Sequence, residues 1–392
     1  MCGIIGLISN NEIEKEKFIS LVTMLDHRGP DDKGVFFDDK IALGQTRLSI
    51  IDLSKDGHQP MLSQDEKYVI TFNGEIYNFA EIKKDLLLKG YIFNSKTDTE
   101  VILNGFIEYG EKIAEKLNGM FAFAIYDKLN DKVFFARDRS GMKPLYYYHS
   151  KTDFYFSSEV KALKHLSNEI NFDSKILFLL LGSVPEPYTI YKGISMFPSG
   201  TYGYLHKNRL DLTNYDKYEY EPKIIKPYNE IITDVKELLH KSVERHLISD
   251  APIGTFLSGG LDSSAITAIA SKYKTDLQTI SLVFDDKQLS EEYYQDLVVN
   301  RCGTKHNKYL IDEQLFLNSI DNFTESIDQP TIDGLNTYFV SKAANQIGLR
   351  TVLSGVGGDE IFYGYSSFKN SKKLNLIKKL PAFVITILKQ FK

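Results

Sequence analysis

The chain opens "MCGIIG" (Met1–Gly6), and the reading of this stretch decides the fold of the first half. Only two cysteines occur in 392 residues, and one stands directly behind Met1. Two readings compete. In the first, Met1 is removed, which a small second residue permits, and the Cys2 α-amino group then lies beside its own thiol. A free α-amine has a pKa near ~7.7–8.0 and serves as a base at neutral pH. It takes the thiol proton without a histidine partner, and the thiolate is the nucleophile. In the second, Cys2 is an ordinary buried residue at the start of a β-strand.

Outward from this stretch, residues 1 to about 205 read as strand-rich with few helices. "KYVITFNGEIYNF" reads as a strand ending in an Asn-Gly turn before the helical "AEIKKDLLLKG". "GMFAFAIYD", "KVFFARD", "PLYYYH" and "FYFSS" are short aromatic or β-branched runs separated by turn formers, the pattern of hairpins. Residues 206–229 are polar, Tyr-rich and aperiodic, and read as a linker. From residue 230 to 392 strands alternate with helices: "PIGTFL", "SSAITAIASKY", "LQTISLVF", "YYQDLVVNRC", "KYLI", "NTYFVSKAANQIG" and "RTVLS". That alternation predicts a parallel sheet covered on both faces.

Composition excludes several classes. Hydrophobic residues make up 43% and charged residues 25%, as in a globular protein with real cores. Net charge is −5 with no strongly basic half, so a nucleic-acid partner is not favoured. Two distant cysteines build no disulfide framework, which fits a reducing cytoplasm. No signal peptide is legible. The runs "ILFLLL" (Ile176–Leu181) and "LPAFVITIL" (Leu380–Leu388) fall short of the roughly 20 residues a membrane span needs, and the second reads as a buried helix.

The first half resembles the class II, N-terminal nucleophile glutamine amidotransferases. The resemblance is carried by "MCGIIG", "HRGPDD" (His27–Asp32), "RLSIIDL" (Arg47–Leu53), "NGEIYN" (Asn73–Asn78), "TDTE" (Thr97–Glu100), "GMFAFAIYD" (Gly119–Asp127), "ARDRSGMKPLYY" (Ala136–Tyr147) and "FSSEVKAL" (Phe156–Leu163), in the family's order. It implies an αββα sandwich in which Cys2 attacks the glutamine side-chain amide. Asn73 and Gly74 would form the oxyanion hole, since a developing oxyanion needs preorganised donors. Arg47 would receive the glutamine α-carboxylate, and Asp98 its ammonium with Glu75 nearby. Singly, Asn73-Gly74 is a plain hairpin turn and Arg47 or Asp98 a solvated charge. "HRGPDD" is mainly structural.

"FLSGGLDSS" (Phe256–Ser264) sits between an apolar strand and a helix. Its glycines let the backbone approach an anion, and the helix supplies free N–H groups. The lysine of a Walker loop is absent. The full motif resembles the PP-loop of ATP pyrophosphatases, which implies ATP binding by Leu257, Ser258, Gly259, Gly260, Asp262, Ser263, Ser264, Leu282, Ser354 and Gly355. Mg²⁺ would be held by Asp262 and by Asp359 of "LSGVGGDEIFYGY" (Leu353–Tyr365), a reading favoured over an N-cap for Asp359.

Together the halves resemble glutamine-hydrolysing asparagine synthetase, an AMP-forming ligase. The resemblance implies glutamine, aspartate and ATP as substrates, a dry ammonia tunnel, a homodimer and a cytoplasmic location. Two departures stand out. Val356 occupies a position where such synthetases usually carry a carboxylate, which suits another carboxylate acceptor, such as a sugar acid. The sequence past Glu360 is also short for the family, which leaves the α/β domain incomplete on this reading and admits a glutaminase-only homologue. Cys302 reads as a structural residue at a helix end, and His306 has no partner at metal-ligand spacing.

Overall fold

A computed structural model describes residues 1–216, 225–286, 290–368 and 370. Two compact units form, Met1–Pro252 with Glu313–Thr351, and Ile253–Asp312 with the residues from Val352 onward.

In chain order the first unit begins β1 (Gly3–Ser9), α1 (Lys15–Thr23), β2 (Asp32–Asp38), β3 (Ile41–Arg47), β4 (Met61–Leu62) and β5 (Tyr68–Ile76). It continues α2 (Phe79–Leu88), α3 (Asp98–Tyr109), α4 (Ile113–Lys116), β6 (Gly119–Asp127), β7 (Lys132–Arg137), β8 (Tyr146–His149) and β9 (Asp153–Ser157). Then come α5 (Phe172–Leu181), β10 (Ile194–Met196), β11 (Thr201–His206), β12 (Arg209–Asn214) and α6 (Tyr228–His246). The strands make two six-stranded sheets, ordered β10-β8-β9-β1-β3-β2 and β12-β11-β7-β6-β5-β4.

The two sheets pack face to face because each strand alternates apolar residues inward. Ile4, Leu43 and Phe156 of one meet Val69, Ala124 and Phe135 of the other in one buried cluster. The far face of the first sheet takes Phe18, Leu21 and Val22 of α1 against Ile5 and Leu7. The far face of the second takes Ile82 and Leu86 of α2 and Val101 and Ile102 of α3. Helix, sheet, sheet, helix is therefore the layering, as expected from the resemblance.

The second unit begins with β13 (Ile253–Phe256), α7 (Leu261–Tyr273), β14 (Gln278–Phe284), α8 (Glu292–Cys302) and β15 (Lys305–Ile311). The helices α9 (Glu313–Ser326) and α10 (Gly334–Gln346) group with the first unit, and β16 (Thr351–Leu353) and α11 (Gly358–Phe362) follow. The sheet order is β15-β14-β13-β16, with β13–β14 and β14–β15 parallel. Cys302 closes α8 before Gly303 in a left-handed conformation, as a helix-end residue should.

Four sequence readings are corrected. Asn73-Gly74 is no turn: both lie inside β5, paired with Ala122 and Phe121 of β6. The stretch read as a linker contains β12, an edge strand with five of its six residues exposed, so little of it is buried to mark it as a strand. Helices are not few in the first half. In α3 every residue from Asp98 to Phe106 is buried, so no amphipathic period betrays it. Finally, α9 passed unread. The run Leu380–Leu388 lies outside the described residues. No helix among those described is long and apolar enough to cross a membrane.

Phe135 sits between the sheets, its ring 5.1 Å from that of Phe156 and 5.5 Å from that of Phe154. Phe135→Ala should cost about 3–5 kcal/mol through the cavity it leaves. Urea unfolding followed by circular dichroism reads the loss, with exposed Leu88→Ala as the near-neutral control.

Candidate functional site

The strand β1 lies between β3 and β9 with Gly3 opposite Thr46, so Cys2 stands at the mouth of the sandwich. Its backbone is clamped by Arg28, whose Nε donates to the Cys2 carbonyl at 2.9 Å. The Arg28 Nη1 pairs with the Glu159 carboxylate at 2.9 Å, which also holds His27. This is the structural work of "HRGPDD". The thiol donates weakly to the Leu48 carbonyl, 3.7 Å away.

A cavity opens beside the thiol. Cys2, Arg47, Asn73, Gly74, Glu75 and Asp98 all line it, so every residue expected at the glutaminase site is brought to one place. Gln59, Thr99 and Lys143 also line it and escaped the sequence reading. Gln59 acts as a brace, accepting from the Phe72 N–H at 2.7 Å and donating to Thr99 at 3.0 Å.

Each wall residue is placed by an identifiable constraint. The Asn73 side-chain nitrogen is buried with no hydrogen-bond partner, a donor the fold leaves unspent. Glycine is required at 74 because a Cβ there would stand 2.3 Å from the Met120 carbonyl oxygen on β6. Arg47 is 5% exposed and its terminal nitrogens donate to the Ser54, Ile51 and Asp52 carbonyls. It thus shapes the loop after β3 as well as facing the cavity. Gly57 packs so closely on its guanidinium that a Cβ would lie 2.0 Å from Nη2.

Electrostatics separate the charged groups. Asp98 opens α3 and its carboxylate accepts from the Ile76 N–H at 2.9 Å. Burial pushes Asp98 up to about 7, with the Glu75 charge adding to the rise against its backbone donors. Burial also raises Glu75, while Lys143 pulls it back. The Cys2 thiol is pushed up by burial and pulled down by the α-amino group, Lys143 and Arg47. The α-amino group, carried by Met1 in the unprocessed chain, is lowered to about 6 by burial.

The second unit holds the other expected site. The segment Leu257–Gly260 joins β13 to α7, and Gly259 takes φ +90 with Tyr294 against it. The Ser258 and Ser263 hydroxyls bond each other at 2.9 Å, and Gly260 N–H donates to Ser258 Oγ at 3.2 Å. Two of the expected hydroxyl donors therefore order the loop itself. Ser264 sits in the first turn of α7, its N–H on the Gly260 carbonyl. Leu257 is buried and its N–H bonds the Ile280 carbonyl. Gln295 of α8, unforeseen from sequence, donates to the Ser258 and Leu282 carbonyls, both at 3.4 Å.

The loop after β16 closes on this site. A Cβ on Gly355 would meet the Ser263 nitrogen at 2.9 Å, and one on Gly358 the Asp262 carboxylate at 2.3 Å. Ser354 accepts from the Val356 N–H. Asp359 follows Gly358 directly, inside the first turn of α11, whose N-cap is Gly357, so Asp359 is not the cap. Val356 is 90% exposed. Two carboxylates beside a glycine-lined loop suit a hard cation sharing phosphate oxygens. No group of three or more His, Cys, Asp or Glu gathers among the described residues.

Comparison with known proteins agrees with this division of chemistry. The glutamine amidotransferase domain family matches residues 1–216, and the asparagine synthase family matches residues 234–388. The chain belongs to the glutamine-hydrolysing asparagine synthetase family. It is 37% identical to the putative asparagine synthetase [glutamine-hydrolyzing] 2 of Methanocaldococcus jannaschii, over 98% of this chain and 79% of that one. Identity to asparagine synthetase [glutamine-hydrolyzing] 1 of Bacillus subtilis is 35%, over 97% of this chain and 62% of the relative. Asparagine synthetase B of Escherichia coli is 33% identical, over 97% and 69%. Among solved structures, the glutamine phosphoribosylpyrophosphate amidotransferase of B. subtilis aligns with a TM-score of 0.42 at 15% identity, covering 90% of this chain and 81% of that one.

The raised Asp98 gives a signed pH dependence. Between its ordinary 3.8 and about 7 the folded chain keeps a proton that the unfolded chain has lost. Its contribution to stability is therefore full below 3.8 and falls as pH rises through about 7. Asp98→Asn should flatten that fall, as measured by urea unfolding across the window without glutamine.

Proposed function

We propose that this chain is a glutamine-dependent asparagine synthetase in which the first unit hydrolyses glutamine and the PP-loop unit activates aspartate with ATP. The observation that carries the reading is the convergence of Cys2, the unspent Asn73 amide and the buried Asp98 on one cavity. With Met1 removed, the Cys2 α-amine takes the thiol proton and the thiolate attacks the glutamine side-chain carbonyl carbon. The C–S bond forms as the carbonyl pair moves onto oxygen, where Asn73 Nδ2 and the Gly74 N–H donate. The α-ammonium returns its proton to the leaving nitrogen and ammonia departs. Water then cleaves the thioester to glutamate.

Asp98 ionises against the substrate ammonium, with Glu75 beside it, and Arg47 faces the α-carboxylate. Glutamine binding is thereby tied to an aspartate that burial lifts to about 7.

In the second unit ATP lies on the Ser258–Ser264 loop and the N-terminus of α7, with Leu257, Leu282, Ser354 and Gly355 around the nucleoside. The aspartate β-carboxylate attacks the α-phosphorus, and pyrophosphate leaves. Asp262 and Asp359 would hold Mg²⁺, whose charge offsets that of the pyrophosphate. Ammonia attacks the acyl-adenylate to give asparagine and AMP.

Cys2→Ala should abolish glutamate formation from glutamine and leave synthesis from ammonium salts intact. Persistent glutaminase in that variant would remove Cys2 from the reaction. Asp262→Asn should cut pyrophosphate release by 10-fold or more (roughly 1.4 kcal/mol of transition-state stabilisation). An unchanged rate in a coupled pyrophosphate assay would take Asp262 out of the site.

A further inference from the structure

The cavity contains a cation that the reaction above does not use. Lys143 is 7% exposed and lines the same wall as Cys2 and Glu75. A buried ammonium is costly unless the surroundings repay it. Here the fold goes further and fixes its position from both sides.

The segment between β7 and β8 is gripped by two buried side chains. The Asp138 carboxylate accepts from Ser140 N–H at 3.1 Å, Met142 N–H at 2.9 Å and Lys143 N–H at 3.0 Å. The Arg137 guanidinium donates to the Lys143 carbonyl at 2.9 Å and to the Gly141 carbonyl at 2.6 Å. Gly141 takes φ +64 against that guanidinium, a conformation few other residues accept. Pro144 then restricts the Lys143 backbone to extended geometry. The result is a lysine whose backbone is held in place at the cavity wall.

Other charges reach this space, and most are committed. The Arg28 Nε and Nη1 serve the Cys2 carbonyl and Glu159. The terminal nitrogens of Arg47 serve three loop carbonyls. The α-amine changes charge during the reaction. Glu75 and Asp98 are anionic or neutral, Asp138 is spent on backbone N–H groups, and the ring of His246 of α6 lies tilted against Tyr77, 4.3 Å between centroids. The Arg28 Nη2 is buried without a hydrogen-bond partner, so among the described residues Arg28 and Lys143 both keep cationic charge not spent on a carbonyl or carboxylate, and Lys143 is one of the charges that pull the Cys2 thiol down.

We propose that Lys143 is a positioning residue of the glutaminase reaction, its ammonium serving as the fixed counter-charge that holds the Cys2 sulfur ionised. The proton still moves from Sγ to the α-amine; Lys143 transfers none. Its charge lowers the cost of the thiolate before attack and of its regeneration when the thioester is hydrolysed. Burial lowers Lys143 and raises the Cys2 thiol; against burial each charge favours the other, behind Glu75 in its effect on Lys143 and behind the α-amino group and the Leu48 backbone contact in its effect on Cys2. This inference rests on the reading of Cys2 as the nucleophile.

The test measures thiol ionisation rather than turnover. In a Cys302→Ser background, with Met1 removal verified by intact mass, iodoacetamide alkylation of Cys2 is followed against pH. Lys143→Met should move the midpoint up by about one unit or more, with alkylation near neutrality about tenfold slower. Lys143→Arg should restore the parental midpoint. The kcat for glutamine should fall in Lys143→Met with KM little changed. Lys143→Gln reads the same midpoint if Lys143→Met does not fold. An unmoved midpoint in the neutral variant overturns the proposal, and a raised KM beside it would assign Lys143 to substrate binding instead. Failure of the nucleophile reading is seen separately, as glutaminase surviving Cys2→Ala.

Discussion

The first unit depends on how Cys2 is pinned. Strand β1 is registered between β3 and β9, and the Arg28 guanidinium ties the Cys2 carbonyl to buried Glu159. A chain end is normally among the most mobile parts of a protein. Here sheet register and a buried ion pair remove that freedom before any substrate arrives. The cost is a buried carboxylate and a buried guanidinium that must stay paired, because an uncompensated partner would be strongly destabilising. Register also does the remaining placement: Asn73 and Gly74 reach the cavity because β5 pairs with β6 through both.

Around that anchor the cavity is built from groups held away from their comfortable ionisation. Asp98 is lifted to about 7, Glu75 is raised, and the Lys143 ammonium is disfavoured by burial. Such a site is poor at holding itself together and good at responding to a zwitterion. In the proposed reaction a substrate ammonium stabilises the Asp98 carboxylate, and a thiolate stabilises the Lys143 ammonium. The apolar sandwich around Phe135 and Phe154 supplies the stability that these charges consume.

Much of this was legible in the sequence, and the failures have physical causes. The strands Gly119–Asp127 and Lys132–Arg137 follow their aromatic and β-branched runs closely. So does the β13–loop–α7 unit, because Gly-rich loops between apolar strand and helix have few alternatives. Asn73-Gly74 was misread because local turn propensity is strong and cross-strand pairing is invisible to it. The buried helix α3 has no polar face to reveal its period. Arg47 was legible as a cation, but its donation to the Ser54, Ile51 and Asp52 carbonyls depends on a loop whose path no residue type dictates. Lys143 lies inside "ARDRSGMKPLYY", where nothing marks it as buried, since lysine is usually solvated.

The claim on which all of this turns is that Cys2, freed of Met1, carries the glutamyl group. Rapid acid quenching of the chain during turnover with glutamine, followed by mass analysis of the N-terminal peptide, tests it directly. The account predicts a peptide beginning at Cys2 and bearing a glutamyl thioester on that residue. An unmodified Cys2, or turnover by a chain that retains Met1, would contradict it.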